Sequence, residues 1–437
     1  MESMNSSAHA AGHATDYAAD LGRYIFASPS SYHAVSEAAR MLIAAGFTQL
    51  SEREAWRDVS GKRFVIRDGA LIAWQAPPGI PVGAGFRIVG AHTDSPGFKV
   101  KQDPTFGHLG WRQLAVEVYG GPLVHSWLDR DLRVAGRLVD RGGRALLVES
   151  GPVARIPSLA IHLDRDMAAG VTLDRQRHTQ PVLDLDSEGG AELVQALAQD
   201  AGMAPDDVAG FDLYLADTQA PAAIGLGGDL LAAGRLDNLS STFAALRALI
   251  RASDHGDGTG FMSIVALFDH EEVGSASSSG AAGPVLEDTV RRIAVGLGLG
   301  EDEYRAALAA SICVSADAGH GIHPNYPERH DPTQWPHLGA GPMLKVNANQ
   351  RYASDGIGAA LWRGWCDAAN VTTQAFVSNN AIPCGSTIGP ITATRLGIRT
   401  IDVGVPLLSM HSIRELAHAD DLQGLALVLQ EFLTGAS

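Results

Sequence analysis

The chain has 437 residues, 46% of them hydrophobic and 19% charged, a composition that excludes disordered, collagen-like and coiled-coil proteins. Its 33 Lys and Arg against 49 Asp and Glu give a formal net charge of -16, so neither nucleic acid nor an anionic membrane is expected as a partner. Only three cysteines, no apolar run long enough to span a bilayer and no secretory signal together predict a cytoplasmic protein.

The first part of the chain favours helices and then short strands. The first 20 or so residues are small and polar and favour a mobile arm. From Tyr17 onward, apolar residues recur three and four positions apart, which predicts two helices before about Phe47. Short predicted strands follow: KRFVIRD, ALIAWQA and FRIVGAH.

A block of about 120 residues with a different pattern runs from about Phe106 to Leu215. Apolar and polar residues alternate between turn residues, as in LAVEVYGG, LRVAGRLVD and RALLVES, which predicts strands. One stretch, GAELVQALAQDAG, is instead helical in pattern. This block therefore reads as a β-rich insertion.

From Asp237 the chain alternates long helices with apolar strands, a pattern typical of an α/β layer structure. We predict the α/β class, with a mixed, largely parallel sheet flanked by helices and an inserted β-rich domain. The predicted α/β domain is discontinuous and comprises residues 1–103 and 230–437, while residues 104–229 form the insertion.

Histidine and acidic residues follow four predicted strands at their carboxyl ends, where open α/β sheets bind ligands. A fifth acidic residue, Asp237, stands just before a helix. Each signal alone is weak, because Glu pairs are usually solvated and Asp237 could simply cap the helix. The residues concerned are His92 and Asp94, the run from Asp269 to Glu272, Asp317, and His411.

The shared location of these groups points to metal binding. Several unpaired carboxylates at one edge cost several kcal/mol each to bury, and divalent ions are the usual compensation. Two histidines with three carboxylates suit zinc or a similar ion. Asp94, two residues after His92, is placed to orient the His92 ring.

The sequence resembles the aspartyl aminopeptidase family of dinuclear zinc metallopeptidases, in order and over nearly the whole chain from about residue 22 to 415. The stretches that carry the resemblance include YIFASPSSYHAVSEA, GAHTDSPGFKVK, VYGGPLVHSWLDRDL, GRLDNL, FDHEEVGS, SADAGHGIHPNYPERH, PCGSTIGP and VGVPLLSMHSIRE. The resemblance implies a zinc-peptidase-like catalytic domain. It also implies two divalent metal ions per subunit, with zinc favoured and manganese or cobalt as alternatives.

The same resemblance implies roles for individual residues. Asp237 would bridge the two ions, and Glu271 would act as the general base without binding metal. The implied ligands of one ion are His92, Asp237 and Asp317, and those of the other are Asp237, Glu272 and His411.

Four further residues match family positions around the substrate. His320 and Lys345 would surround the first side chain, and His162 would reach a neighbouring subunit's site to stabilise an oxyanion. Met410 would line the pocket, with plain packing as the alternative, while Lys345 and His162 could instead be surface residues. The sequence departs from the family at 379–381, where Asn-Asn-Ala removes two charges near the site.

The function favoured by the sequence is a metal-dependent aminopeptidase that removes N-terminal Asp or Glu from short peptides. A broader or neutral N-terminal preference on the same fold is the near alternative, and a catalytically silent assembly protein is the alternative from another class. A serine hydrolase is disfavoured because no Gly-x-Ser-x-Gly occurs. The resemblance also implies a homo-oligomer, in which dimers form through the insertion and build a tetrahedral dodecamer.

Overall fold

The fold is that of an α/β protein with a second, β-rich unit, as expected. The computed structural model describes residues 2–77, 84–165, 170–186, 192–254 and 260–435, and for residues 2–12 it describes the backbone alone. The helices of these residues are α1 (Glu2–Phe26), α2 (Ser31–Ala44), α3 (Leu193–Asp200), α4 (Leu236–Asp254), α5 (Val285–Gly296), α6 (Glu301–Ala309), α7 (Gly356–Ala368), α8 (Ile388–Leu396) and α9 (Ala419–Thr434).

The strands fall into one large mixed sheet, one antiparallel sheet and two small ones. In chain order they are β1 (Thr48–Gln49), β2 (Gly61–Arg67), β3 (Ala70–Ala76), β4 (Phe86–His92), β5 (Gly97–His108), β6 (Trp111–Tyr119), β7 (Leu132–Asp140), β8 (Ala145–Glu149), β9 (Val182–Leu185), β10 (Val208–Asp217), β11 (Ala222–Ile224), β12 (Leu230–Ala233), β13 (Met262–Phe268), β14 (Ile312–Ala316), β15 (Gly319–His320), β16 (Met343–Val346), β17 (Gln374–Val377), β18 (Arg399–Gly404), β19 (Pro406–Leu407) and β20 (Glu415–His418).

The large sheet has the order β1-β2-β3-β13-β4-β14-β18-β16-β17 in the described residues. Its centre, from β13 through β4 and β14 to β18, is parallel throughout. Parallel strands covered on both faces are expected to be apolar along their whole length, and every residue of β13 is buried. The carboxyl ends of four strands therefore meet at one edge.

Helices cover both faces of this sheet. Alternate residues of β4 point to opposite faces, so Val89 packs in one core and Ile88 in the other. The core on the Val89 side includes side chains of α1, α2, α4, α7 and α9. The core on the Ile88 side includes side chains of α5, α6 and α8.

The antiparallel sheet has the order β8-β7-β10-β5-β6-β9 and lies between β4 and β12 in sequence. One of its faces packs around Phe98 and Trp127 and against α3. The close approach of β7 and β10 needs a glycine at 136, where an added Cβ would lie 1.9 Å from the Asp212 carbonyl oxygen.

The β-rich segment begins earlier than the sequence pattern suggested. β5 starts at Gly97, so the predicted start near Phe106 is too late, and the predicted boundary at 103/104 falls inside this strand. The bulge between Val100 and Thr105 ends the first alternating run of the strand after only a few residues, and so short a run is a weak strand signal. The division into two domains stays a prediction.

The start of the chain also differs from the mobile arm that was expected. α1 runs from Glu2 to Phe26, and its residues Ala14, Tyr17 and Leu21 are buried in the core at helical spacing. Alanine has the highest helix propensity, so this Ala-rich segment supports a helix despite its small side chains. None of the helices in the described part of the chain is long and apolar enough to cross a membrane.

Candidate metal centre and substrate cleft

The acidic and histidine residues singled out in the sequence lie together beyond the parallel strand ends. His92 is the last residue of β4, and Asp317 directly follows β14. Glu271 and Glu272 lie in a short 3-10 turn just after β13, and His411 lies in the segment between β19 and β20. The strand order therefore brings distant parts of the chain to one edge.

Asp237 lies between the two histidines, with one carboxylate oxygen towards each. Its Oδ1 is 3.4 Å from His92 Nε2, and its Oδ2 is 3.3 Å from His411 Nε2. The side chain is buried in the first turn of α4, where Asp237 itself has non-helical dihedral angles. A carboxylate in this position can contact two separate ions.

Two carboxylates complete the surroundings of these histidines. Asp317 Oδ1 is 3.4 Å from His92 Nε2, and Glu272 Oε2 is 3.5 Å from His411 Nε2. Three overlapping sets among the described residues have ligand atoms close enough to share an ion. They are His92 with Asp237 and Asp317; Asp237 with Glu272 and His411; and His92 with Glu271 and Glu272.

The predicted partner of His92, Asp94, contacts more than the imidazole. The His92 Nδ1 atom lies 3.0 Å from the Asp94 backbone oxygen and 3.4 Å from its Oδ1. The Asp94 carboxylate also accepts hydrogen bonds from the backbone N–H groups of Glu271 and Glu272 and from the Tyr119 hydroxyl. Asp94 therefore holds both the ring and the turn that carries the two glutamates.

That turn is tight. It is preceded by His270 at φ 63° and followed by Gly274 at φ 96°. A left-handed conformation at a non-glycine residue is costly and is retained where the surroundings require it. The turn lets adjacent glutamates diverge, so that Glu272 approaches His411 while Glu271 Oε2 lies 3.8 Å from His92 Nε2.

Glu415 was not singled out by sequence reasoning, yet it holds two of the central residues. Its Oε1 accepts the backbone N–H of His411 at 2.8 Å, and its Oε2 accepts that of Asp237 at 3.0 Å. It is only 2% exposed, and burial together with the nearby Asp237 raises its pKa to about 8. The acidic residue that ends HSIRE could have drawn attention, but one of its two partners, Asp237, is 178 positions away in the sequence.

The cluster has an excess of negative charge. Burial, with Asp317 and Asp237 nearby, raises the pKa of Glu271 to about 8, and burial with Asp237 raises the pKa of Glu272 well above its ordinary value. Although desolvation opposes it, the contact with Asp237 raises the pKa of His411 to about 10.

The residues present fit a divalent metal. Asp237 Oδ1 is buried and has no hydrogen-bond partner among the described residues, as expected for an atom that faces a cation. Imidazole nitrogens and carboxylate oxygens are ligands that zinc accepts.

A cleft of about 320 Å³ opens beside this cluster and contains three of the residues predicted to bind substrate. Lys345 is 2% exposed, donates to the Ala318 carbonyl oxygen at 2.7 Å and has its Nζ 3.5 Å from Asp317 Oδ2. Desolvation of the ring, with His330 and Lys345 nearby, lowers the pKa of His320 to about 4, so this imidazole is neutral at pH 7.

Met410 and His162 have different surroundings. Met410 lines the cleft beside His411 and also packs against the main core. His162 is exposed in a turn of the β-rich insertion and does not line the cleft of its own chain.

Comparison with known proteins supplies the family. The sequence model of the aminopeptidase I zinc metalloproteases, M18, matches residues 24–433. The chain belongs to the M18 peptidase family. This membership confirms the family predicted from the sequence and makes the chain a zinc-dependent aminopeptidase by class.

M18 relatives match along almost their whole length. The chain is 49% identical over 417 residues to a probable M18 family aminopeptidase 2 of Streptomyces coelicolor, covering 95% of this chain and 96% of the relative. It also resembles a chain in the cryo-electron-microscopy structure of the Ape4 and Nbr1 complex, with 34% identity and a TM-score of 0.92, over 98% of this chain and 87% of that one.

A second solved M18 structure is the S. cerevisiae mApe1 dodecamer. Its chain is 31% identical to this one, with a TM-score of 0.83 and coverage of 96% of both chains. These likenesses confirm the predicted fold class, with its catalytic and inserted parts.

Proposed function

We propose that this M18 chain is a two-metal aminopeptidase that removes N-terminal Asp or Glu from short peptides. The observation that carries the two-metal part of the proposal is the position of Asp237, whose two oxygens face different histidines at 3.4 and 3.3 Å. A carboxylate placed in this way would serve as a ligand to both ions of a two-metal site.

The proposed ligands are those implied by the family resemblance: His92, Asp237 and Asp317 for one ion, and Asp237, Glu272 and His411 for the other. When bound, the ions would polarise the scissile carbonyl and lower the pKa of an attacking water. Asp94 keeps the His92 ring in place through its contacts with Nδ1. Glu415 fixes the backbones of Asp237 and His411.

Glu271 is the proposed general base. It takes the proton of the attacking water and passes it to the leaving amine. Its backbone N–H is held by Asp94, while its side chain is 16% exposed and lines the cleft. The third geometric set, in which Glu271 joins His92 and Glu272, is the competing assignment.

Lys345 is the proposed partner of an acidic first side chain. An ammonium group has three protons, and contacts with Ala318 and Asp317 leave one of them for a substrate carboxylate. The neutral His320 supplies a hydrogen bond rather than a charge. Met410 forms part of the apolar wall.

A broad or neutral N-terminal preference remains a second candidate because of residues 379–382. This segment reads Asn-Asn-Ala-Ile, and Asn379 and Ile382 line the cleft without a charge. Because Phe376 also lines the cleft, a neutral or apolar first residue would find suitable contacts.

We further propose a homo-oligomer that assembles through the β-rich insertion, with the tetrahedral dodecamer as its full form. Large apolar side chains are exposed there: Leu109, Trp111 and Leu185, of which Trp111 and Leu185 are cross-strand partners. A patch of this kind commonly marks a protein interface. The exposed His162 would complete the active site of a neighbouring subunit. A cytoplasmic location is proposed from the three cysteines, all of which are free.

A substrate panel tests the function. Dipeptide amides that differ in their first residue (Asp, Glu, Asn, Leu and Ala) are assayed with the metal-free protein reloaded with zinc, manganese or cobalt. We expect kcat/KM to be at least tenfold higher for Asp than for its isostere Asn. Equal values would refute the acidic preference, and no hydrolysis with any metal would favour a silent assembly protein.

A further inference from the structure

We propose that Arg329 is a specificity-determining residue whose guanidinium binds a substrate carboxylate beyond the N-terminal residue. The carboxylate is either the C-terminus of a short peptide or the side chain of an acidic second residue. This inference rests on the proposed peptidase function and extends it to the part of the substrate that leaves.

Arg329 lines the same cleft as Glu271, Lys345 and His411. Its side chain is 70% exposed, and its ion pair is with the adjacent Glu328, 3.7 Å away and 65% exposed. Exposed pairs of this length contribute little, so the guanidinium can exchange this contact for a ligand at small cost.

The backbone that carries Arg329 is held firmly. Residues Pro327–Arg329 form a 3-10 turn, and the Asn379 side-chain amide donates to the carbonyl oxygens of Glu328 at 3.3 Å and His330 at 3.1 Å. His330 Nε2 in turn accepts the backbone N–H of His323 at 3.0 Å. A long side chain on an anchored turn samples a restricted volume at the cleft surface.

Asn379 itself belongs to the segment that departs from the family pattern. The uncharged stretch at 379–381 therefore has a structural use, because its amide links the segment after β17 to the turn of Arg329. A carboxylate at position 379 would lose these two donated hydrogen bonds.

The other cationic side chain of the cleft is engaged at greater depth. Lys345 is 2% exposed, touches Ala318 and Asp317, and lies 5.4 Å from the centre of the Tyr352 ring. It suits a group that enters fully, which is the first side chain of the proposed substrate. The exposed Arg329 suits a group nearer the solvent, which is a later part of the peptide.

The chemistry of the two cationic side chains also supports assigning Lys345 to the first side chain and Arg329 to a later part of the peptide. A planar guanidinium binds a carboxylate through two parallel hydrogen bonds, and it stays charged when partly desolvated. The chain carries a net charge of -16, so an anionic peptide end needs a local positive group to approach the cleft.

The experiment compares Arg329→Gln and Arg329→Lys with the unaltered, zinc-loaded protein. The control is Arg305→Gln, since Arg305 is a 62% exposed arginine on α6 that does not line the cleft. The substrates are Asp-Ala and its C-terminal amide, and the amides of Asp-Asp and Asp-Asn. The first pair reports on the C-terminus and the second pair on the side chain of the second residue.

We expect Arg329→Gln to raise KM roughly 10-fold or more for the charged member of one pair, with kcat and the KM of the neutral member nearly unchanged. Arg329→Lys should restore part of the loss, and the Arg305 variant should match the parent. Equal changes for charged and neutral members, or none, would overturn the proposal.

Failure of the proposed function would look different. If the parent protein cleaves Asp-Ala amide no faster than Asn-Ala amide, the acidic preference at the first residue is wrong. The Arg329 variants are then compared on substrates that begin with whichever first residue is cleaved best. A selective rise in KM for the charged member of a pair still supports the Arg329 proposal, and equal changes or none still overturn it. If the parent cleaves no peptide, both proposals fall.

Discussion

The carboxylate of Asp94 accepts a hydrogen bond from the backbone N–H of Glu271, with 3.0 Å between Oδ1 and the nitrogen. Its Oδ2 accepts the N–H of Glu272 at 3.1 Å and the Tyr119 hydroxyl at 2.8 Å. Through its backbone oxygen and its Oδ1, Asp94 also contacts His92 Nδ1, so this one residue aligns a proposed ligand with the turn that carries the proposed base.

Replacement of Asp94 by Asn should therefore disturb the centre without removing a ligand. The amide keeps one acceptor oxygen and loses the other. Either the Glu271 N–H, or the Glu272 N–H together with the Tyr119 hydroxyl, therefore loses its acceptor. We expect metal affinity or turnover to fall about 10–100-fold, measured by zinc titration and kcat. Tyr119→Phe removes a single contact and serves as the milder control. An Asp94→Asn protein with parental zinc affinity and kcat would contradict the positioning role.

Glu271→Gln separates a base from a ligand. The amide cannot accept the water proton, so turnover should fall about 10²–10⁴-fold, while metal analysis of the purified protein should still find two ions. Loss of one ion would instead support the competing set of His92, Glu271 and Glu272. Near-parental turnover would exclude Glu271 as the base.

Gly404 ends β18 next to the centre, and an added Cβ would lie 1.8 Å from the Asp317 carbonyl oxygen. Gly404→Ala should push Asp317 away from His92, lower the free energy of unfolding by about 1–3 kcal/mol and reduce turnover. Gly364→Ala is the control, because that site in α7 has open space for a Cβ and alanine favours a helix by about 0.5–1 kcal/mol. Denaturant unfolding gives the free energy of unfolding of both variants, and an activity assay gives their turnover. Equal effects of the two substitutions would refute the steric argument.

Because the imidazole of His33 is largely buried, we expect the protein to lose stability in mild acid. Burial, with Arg133 and Arg235 nearby, lowers the pKa of its imidazole to about 4, and its Nδ1 lies 2.8 Å from Ser30 Oγ. As the pH falls, the imidazole is protonated near pH 6.5 in the unfolded chain but only near pH 4 in the folded protein. The neutral, largely buried His33 therefore makes its full contribution to folding stability above about pH 6.5, and that contribution is lost as the pH falls towards 4. The full effect is on the order of 3 kcal/mol at 1.36 kcal/mol per pKa unit.

The measurement is the difference in unfolding free energy between the parent and His33→Gln at pH 7.5 and at pH 5. Glutamine does not titrate, so other acid-sensitive groups cancel in the comparison. We expect the parent to lose stability relative to the variant at pH 5. A difference that does not depend on pH would contradict the assignment.

Much of the site was predictable because apolar strands end abruptly. FRIVGAH, SIVALFD and ICVSAD are largely buried runs that end in His or Asp, and parallel pairing then brings their ends together. The helices of α4 and α9 followed from apolar spacing in the same way.

Other features depend on contacts that no local pattern records. Glu415 holds the backbone of Asp237, which is 178 positions away in the chain, and its sequence surroundings resemble an ordinary surface glutamate. Nothing in the sequence around Gly404 distinguishes it from other glycines at strand ends, whereas the structure places the Asp317 carbonyl oxygen directly against it. The early start of β5 was missed because a bulge leaves only a short alternating run before it.

The position of His411 in the chain has a consequence for biosynthesis. A ribosome that has completed residue 400 has already added His92, Asp237, Glu272 and Asp317, but neither His411 nor Glu415. The Asp237 Oδ2 atom then has no histidine to face, and the Asp237 backbone has no carboxylate to hold it. An unfinished chain therefore cannot form the proposed second metal set, and proteolytic activity would begin only after the last part of the catalytic sheet has been synthesised.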